Sequence, residues 1–241
     1  MIGLLKKQMN KLALITGSTR GVGLSIAKMF LKNHYDIIMT GTNLPRTETI
    51  AHELSKTTTQ KIIPLQLDWT DPQSTNSFLE MLPQFRFQAV VHNAGMLSVQ
   101  SFDSISASRY DKMRKVNYEG PIRLTQTLWP FLNPRAHLFY VCPPLRDQYR
   151  KASSLLPYLT TKLSQTLLME MIANHTLHTH IQVCGVWTAF GLDTDALRFR
   201  KIGNPDDYMK PEIMSDMIQL LLQEKRYVYH GKVIVDQTYF P

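Results

Sequence analysis

A short apolar run, Leu12–Ile15, passes straight into Thr16-Gly17-Ser18-Thr19-Arg20-Gly21-Val22-Gly23, and a helical period begins at Val22. This order of strand, glycine turn and helix constrains the fold more than any other stretch. Gly17 lets the chain turn sharply at the strand end. Gly21 and Gly23 let backbone approach a phosphate and let the helix pack tightly on the strand. The amide groups and dipole at the start of that helix favour an anion there. Three glycines alone are weak evidence, since turns use glycine for many reasons. Their place between a strand and a helix makes them much stronger evidence for a pyrophosphate-binding turn.

The rest of the chain repeats the alternation. Strands are expected at Leu12–Ile15, Asp36–Thr40, Lys61–Gln66, Ala89–His92, Ala136–Val141, Gln182–Val186 and Lys232–Val235. Most are near-continuous apolar runs, as expected of strands buried on both faces. Helices are expected at Val22–Lys32, Arg46–Lys56, Pro72–Leu82, Ser106–Lys115, Tyr118–Phe131, Tyr158–Asn174 and Pro211–Glu224. Such a pattern predicts an α/β fold, a Rossmann-like doubly wound parallel sheet of seven strands. It leaves no room for a second domain, so residues 1–241 are expected to form one dinucleotide-binding unit. Gly191–Lys210 stands apart. It carries Gly191, Gly203 and Pro205 with weak periodicity, and reads either as a substrate-side flap or as a plain surface loop.

Composition excludes several classes. No apolar stretch approaches the roughly 20 residues that span a bilayer. Met1–Asn10 is short and lysine-rich, unlike a secretory signal. Two cysteines, Cys142 and Cys184, do not make a disulfide framework and suggest a reducing compartment, so a cytoplasmic location is expected. The formal net charge is +8, but the basic residues are scattered in short pairs such as Lys6-Lys7. That argues against nucleic acid and is compatible with anionic, phosphorylated ligands.

Downstream stands Tyr158-Leu159-Thr160-Thr161-Lys162. The spacing puts the phenol and the ammonium on one face of a helix. A phenol normally titrates near about 10, and a neighbouring cation lowers that by roughly 1–3. The phenol then approaches the range useful for general acid–base catalysis. Tyr158 is the expected proton donor in reduction of a carbonyl and the acceptor in oxidation of an alcohol.

With these residues in hand, the sequence resembles the short-chain dehydrogenase/reductase family over essentially its whole length. The family's Thr-Gly-x-x-x-Gly-x-Gly turn stands complete from Thr16 to Gly23. Its adenine-contacting aspartate matches Asp68 in Leu67-Asp68-Trp69, and its Asn-Ala-Gly motif matches Asn93-Ala94-Gly95. The resemblance implies cofactor contacts from Gly17, Ser18, Thr19, Arg20, Gly21, Val22, Gly23, Thr42, Asn43, Asp68, Trp69, Asn93, Ala94, Gly95 and Thr188. It implies that Lys162 holds the nicotinamide ribose beside Tyr158 and that Asn117 supports a proton-relay water. A carboxylate ending the second strand would bind the ribose of NAD and repel a 2′-phosphate. That stretch reads Met39-Thr40-Gly41-Thr42-Asn43, without an acid, and Arg20 lies inside the turn. NADP(H) is therefore the preferred cofactor and NAD(H) the alternative. The resemblance also implies a homodimer or homotetramer and a small-molecule carbonyl or alcohol substrate.

One position departs from the pattern. The family carries a serine after the fifth strand, whose hydroxyl donates to the substrate carbonyl. Counting back from Tyr158 lands on Leu145, whereas aligning the strand end puts Cys142 there. Cys142 is then either a weak catalytic donor or a packed core thiol. The run Cys142-Pro143-Pro144-Leu145, with Trp187-Thr188, Thr194 and Val233-Ile234-Val235-Asp236, resembles the hydroxysteroid dehydrogenase-like protein 2 branch. Since the chain ends at Pro241, that branch's sterol-carrier-like domain is expected to be absent. Two functions follow as alternatives: an NADP(H)-dependent oxidoreductase acting on a small or lipid-like carbonyl or alcohol, or a catalytically weakened relative that binds nucleotide as a sensor or partner subunit.

Overall fold

The computed structural model describes residues 11–100, 102–145, 153–189, 191–200, 204–223 and 228–236. Met1–Asn10, Gly203 and Glu224, which carry expectations above, lie outside them. The seven strands are β1 (Lys11–Ile15), β2 (Tyr35–Gly41), β3 (Ile62–Gln66), β4 (Phe87–His92), β5 (Leu132–Val141), β6 (Gln182–Trp187) and β7 (Val233–Val235). All pair in parallel, in the order β3-β2-β1-β4-β5-β6-β7. The expected single-domain, doubly wound sheet is what the chain forms.

Each face of the sheet has its own core. On one side Ile26 and Phe30 of α1 (Gly21–Lys32), Leu54 of α2 (Leu44–Ser55) and Met214 and Ile218 of α8 (Glu212–Gln223) pack on alternate strand residues such as Ile15, Ile37 and Val91. On the other, Phe78 of α3 (Pro72–Met81), Leu124 of α5 (Gly120–Leu128) and Met169 of α6 (Leu156–His175) pack on Leu14, Val90 and Leu138. Strands buried from both sides need apolar residues at successive positions, which is why β1, β2 and β4 lack polar alternation.

Three expectations shift, each for a physical reason. The helix expected at Tyr118–Phe131 is broken: α4 (Ala107–Arg114) runs into a π-helical turn at Lys115–Glu119 before α5 begins. Pro121 has no N–H for the carbonyl of Asn117, so the ladder widens there. β5 starts at Leu132, earlier than expected, and its register against β4 slips between Phe87 and Ala89. The slip accommodates Pro134 and Arg135, which sits at φ 71°. Within Gly191–Lys210, Asp195–Arg200 forms a short helix, α7. Its stems are zipped: Met209 N–H donates to Gly191 O and Asp193 N–H to Met209 O, both at 2.8 Å.

The strand order reverses between β1 and β4. The connections that follow these two strands leave toward opposite halves of the sheet, and a crevice opens beyond the strands' C-terminal ends. The glycine turn after β1, the Asn93 loop after β4 and the Trp187-Thr188 turn after β6 all open on that edge.

Candidate active site

A cavity of about 730 Å³ occupies this crevice. One end is walled by the glycine turn, Thr42, Asp68 and Trp69, and the other by Tyr158, Lys162, Thr188 and, from the segment after β6, Leu192 and Leu197.

The glycine turn is held from beneath by hydrogen bonds. Gly17, at φ 64°, reverses the chain. Thr16 Oγ1 donates to Val91 O and accepts the amides of Asn93 and Ala94 at 3.0 Å. Asn93 Nδ2 donates to the carbonyls of Thr16 and Gly17 at 2.9 and 3.0 Å. Ser18 is fully buried, and its hydroxyl receives the Thr40 amide at 3.0 Å. Ser18 therefore shapes the turn from behind, while Gly17, Thr19, Arg20, Val22, Gly23 and Asn93 line the cavity. Gly23 admits no substituent, because a Cβ there would lie 2.2 Å from Gly17 O and 2.5 Å from Asn93 Nδ2.

The start of α1 opens on the cavity without a side-chain cap, unlike the starts of α2, α3 and α4. Asn43, Asp71 and Ser106 cap α2, α3 and α4 with side-chain oxygens. At α1 the cap residue is Arg20, with no side-chain cap bond and no acid in the first turn. The N-terminal amides and positive end of the dipole there have no anion of their own. Asn43 is spent as a cap, accepting from the Arg46 amide at 2.9 Å, and does not line the cavity. Thr42 does line it. Gly41 closes β2 where a Cβ would meet Thr47 Oγ1 at 2.6 Å and Thr19 Cγ2 at 2.7 Å. No ribose-binding carboxylate fits at that position. Asp68 Oδ1 accepts both the amide and the hydroxyl of Thr70, at 2.8 and 2.7 Å, which fixes the carboxylate at the cavity edge. Trp69 lies flat against Gly120, where a Cβ would come within 2.5 Å of the indole.

At the other end α6 brings Tyr158 and Lys162 to the cavity wall together. Tyr158 is half-buried, whereas Lys162 is buried. Lys162 Nζ donates to Val141 O at 2.6 Å and to Gln165 Oε1 at 2.8 Å. Burial pushes this ammonium down to about 8, and the neighbouring Cys142 acts in the opposite direction. Asn117 is fully buried in the π-helical turn. Its Nδ2 donates to Met96 O and Thr161 Oγ1, both at 2.9 Å, and its Oδ1 accepts the Met96 amide at 2.7 Å. Its side chain thus clamps the loop after β4 to α6 and does not reach the cavity. Gly95 lies between Asn117 Oδ1 and Lys162 Nζ, at 3.6 and 3.8 Å from an added Cβ.

Cys142 is not brought to the cavity wall. It is fully buried on the face of β5 that carries Leu138 and Tyr140, beside Thr166. Desolvation pushes the thiol up to about 11, against the pull of Thr166 and Lys162. The placement is that of a neutral core thiol. Leu145, the other register, is exposed. Beneath the site His92 stacks on Tyr140 with ring centroids 4.3 Å apart, and Thr125 Oγ1 bridges their polar atoms at 3.1 and 2.8 Å. Burial, with help from the Lys162 charge, pushes His92 down to about 3.

Several participants went unforeseen. Gln165 and Thr161 flank Lys162 on α6, but nothing in a helical period marks Gln165 as the partner of Lys162 or Thr161 as the partner of Asn117. Gly21, at φ 51°, faces the flap and not the cavity, since an added Cβ there would lie 3.5 Å from Thr194 Cγ2. Arg20 Nη1 lies 3.5 Å from Asp195 Oδ2 of α7, with both side chains largely exposed.

The chain matches the family model for short chain dehydrogenases over residues 11–201. It is 29% identical over 122 residues to the 3-oxoacyl-(acyl-carrier-protein) reductase FabG of Aquifex aeolicus, a match spanning 50% of this chain and 49% of that protein. It is 27% identical over 248 residues to the short chain dehydrogenase pigC of Monascus ruber, covering 93% of this chain and 78% of that one. Among solved structures, L-sorbose reductase of Gluconobacter frateurii, complexed with NADPH and L-sorbose, superposes with a TM-score of 0.81 at 18% identity, covering 94% of each chain.

Proposed function

Because the chain belongs to the short-chain dehydrogenase/reductase family, we propose that it is an NADP(H)-dependent oxidoreductase acting on a small or lipid-like carbonyl or alcohol. One observation carries this reading: the uncapped start of α1 and the Tyr158–Lys162 pair share one cavity. An anion-seeking helix end at one side and an acid–base pair at the other suit a dinucleotide bound lengthwise.

The residues present fit the cofactor. The diphosphate would rest on the amides after Arg20, Asp68 would take the adenine amino group, and Trp69 would wall the ring. With no room for an acid at Gly41 and Arg20 at the rim, the ribose end favours a 2′-phosphate. That L-sorbose reductase shares the fold and holds NADPH is in keeping with this choice. When bound, the reduced nicotinamide supplies the hydride.

The rest of the chemistry falls to the chain. Tyr158 donates its phenolic proton to the carbonyl oxygen as reduction proceeds and takes it back in oxidation. Lys162, charged, favours the phenolate that results. Two of its three N–H donors are held inside the protein, so one is left for the ribose, and the phenol is served by the ammonium's charge. Asn117 fixes the distance between α6 and the loop after β4 through Thr161 and Met96. Cys142 packs behind Lys162. The described residues 191–200 and 204–210 belong to the substrate-side flap, with Leu192 and Leu197 lining the cavity. α6 leaves Leu167 and Met171 exposed, an apolar pair one turn apart that supports assembly of a homodimer or homotetramer through this helix. Likeness to the hydroxysteroid dehydrogenase-like protein 2 branch extends the substrate class to lipid-like carbonyls.

The test is NADPH oxidation against a panel of aldehydes, ketones and 3-oxoacyl thioesters. Tyr158→Phe is expected to lower kcat by about 10²–10⁴-fold while NADPH affinity stays within about threefold, since one hydroxyl is lost from a cavity of many contacts. Tight NADPH binding with no turnover on any carbonyl would replace this reading with the nucleotide-sensor alternative.

A further inference from the structure

The Lys162 ammonium sits in a place where a lysine ordinarily loses its proton. Its side chain is buried to 2% exposure, and desolvation of a cation favours the neutral amine. Two acceptors oppose that. Val141 O is backbone and would be present with any sequence. Gln165 Oε1, 2.8 Å from Nζ, is a side-chain choice.

Gln165 bears a cost for this position. It is fully buried, and its Nε2 has no hydrogen-bond partner among the described residues. An amide that packed for its own sake would turn to satisfy its NH₂ group. Turning it here would aim two N–H donors at an ammonium that has none to accept with. Lys162 thus locks the amide with its oxygen inward and its nitrogen stranded. A leucine or methionine would fill the same space without an orphaned polar group.

We propose that Gln165 is a positioning residue for the Tyr158–Lys162 pair, holding Lys162 protonated and its remaining N–H directed at the cavity. The claim rests on the reading of Lys162 as the charge partner of Tyr158. Among the described residues, the titratable groups around the ammonium are Tyr158 on the same helix, Cys142 at the end of β5 and His92 at the end of β4. His92 is kept neutral by burial, and Cys142 holds its proton, so neither supplies a counter-charge at neutral pH. The Gln165 dipole, with Val141 O, is what remains.

The test reads the lysine itself. In the full chain labelled with ¹³C-lysine, the Lys162 Cε signal, assigned by its loss in Lys162→Arg, is followed against pH. Gln165→Leu removes the acceptor and is expected to lower the midpoint by about 1, a tenfold change in the protonation ratio. Gln165→Glu places a carboxylate at the same point and is expected to raise it. A packing role alone would not move the two in opposite directions. Midpoints that coincide, or that shift the same way in both variants, overturn the proposal. If Gln165→Leu does not fold, Gln165→Met, which also lacks an acceptor, reads the same quantity. With a carbonyl substrate from the panel, the alkaline limb of kcat should follow: Gln165→Leu loses about tenfold at pH 8.5 and less than about threefold at pH 6. Midpoints that move as expected in a protein that turns over no carbonyl leave the positioning role standing and remove the oxidoreductase reading. Turnover with unmoved midpoints does the reverse.

Discussion

The two ends of the cavity are built on different principles. The glycine-turn end is a backbone object: Gly17, Gly23 and Gly41 shape it by lacking side chains, and Thr16, Ser18 and Asn93 bind its main-chain groups. The Tyr158 end is a side-chain object. Lys162 reaches across to Val141 O on β5, and Asn117 to Thr161 on α6. A backbone site tolerates little change because nothing in it can rotate away. A side-chain site can be retuned by single substitutions.

That contrast predicts where a methyl group does most harm. Gly23→Ala forces its Cβ against Gly17 O, a carbonyl held on its other side by Asn93. Relief requires the turn itself to move. The variant should be destabilised by about 1–3 kcal/mol, the ordinary cost of overpacking, and should lose NADPH binding beyond detection in a fluorescence titration. An affinity within threefold of the parent would show that the turn does not carry the diphosphate.

Arg20 tests the rim of the same end. Arg20→Ala removes the one guanidinium facing the cavity from the turn. Charge-assisted contacts to phosphate are about twice as strong as neutral ones, so NADPH should bind about tenfold more weakly. NADH, lacking the 2′-phosphate, should change little. An equal loss for both cofactors would place the 2′-phosphate elsewhere.

Beneath the Tyr158 end, His92 should make stability depend on pH. Its folded pKa, about 3, lies below the ordinary 6.5. A depressed value means the unfolded chain binds the proton first. The stabilisation is complete above pH 6.5 and is lost as pH falls from there toward 3, with a slope of up to about 1.4 kcal/mol per pH unit. His92→Phe keeps the ring stack and the Thr125–Tyr140 hydrogen bond and should flatten that limb in urea melts at pH 7, 6 and 5. An unchanged slope would mean that other groups govern acid unfolding.

The contrast also explains what the sequence made legible. The glycine turn, the parallel sheet and the Tyr158–Lys162 face could be read because each depends on local geometry: a turn's φ, a strand's two-sided burial, a helix's period. Ser18 and Asn93 belong to motifs the sequence displays, but the way they hold the glycine turn depends on contacts across 22 and 77 positions of chain. Cys142 could be read as catalytic or as core, and only the pleat of β5 decides which face it takes. Gln165 was invisible, since a glutamine on a helix is ordinary until an ammonium is found beside it. α7 was hidden because six residues are too few for a period to emerge.

The smallest effect bears on the join between the two ends. Asp195 lies 3.5 Å from Arg20, and both are more than half exposed. Solvent screens such a pair, and its worth is correspondingly slight. It nevertheless sets a carboxylate from the flap against the guanidinium that a 2′-phosphate would use, so anion and flap compete for one partner. Asp195→Asn removes the competitor and keeps the shape. NADPH affinity should rise, by no more than about fivefold, with NADH unaffected, and the gain should vanish at high ionic strength, where both contacts are screened. A fall in NADPH affinity would mean that the flap closes over the cofactor with Asp195 helping, and that the two ends cooperate through Arg20 instead of competing for it.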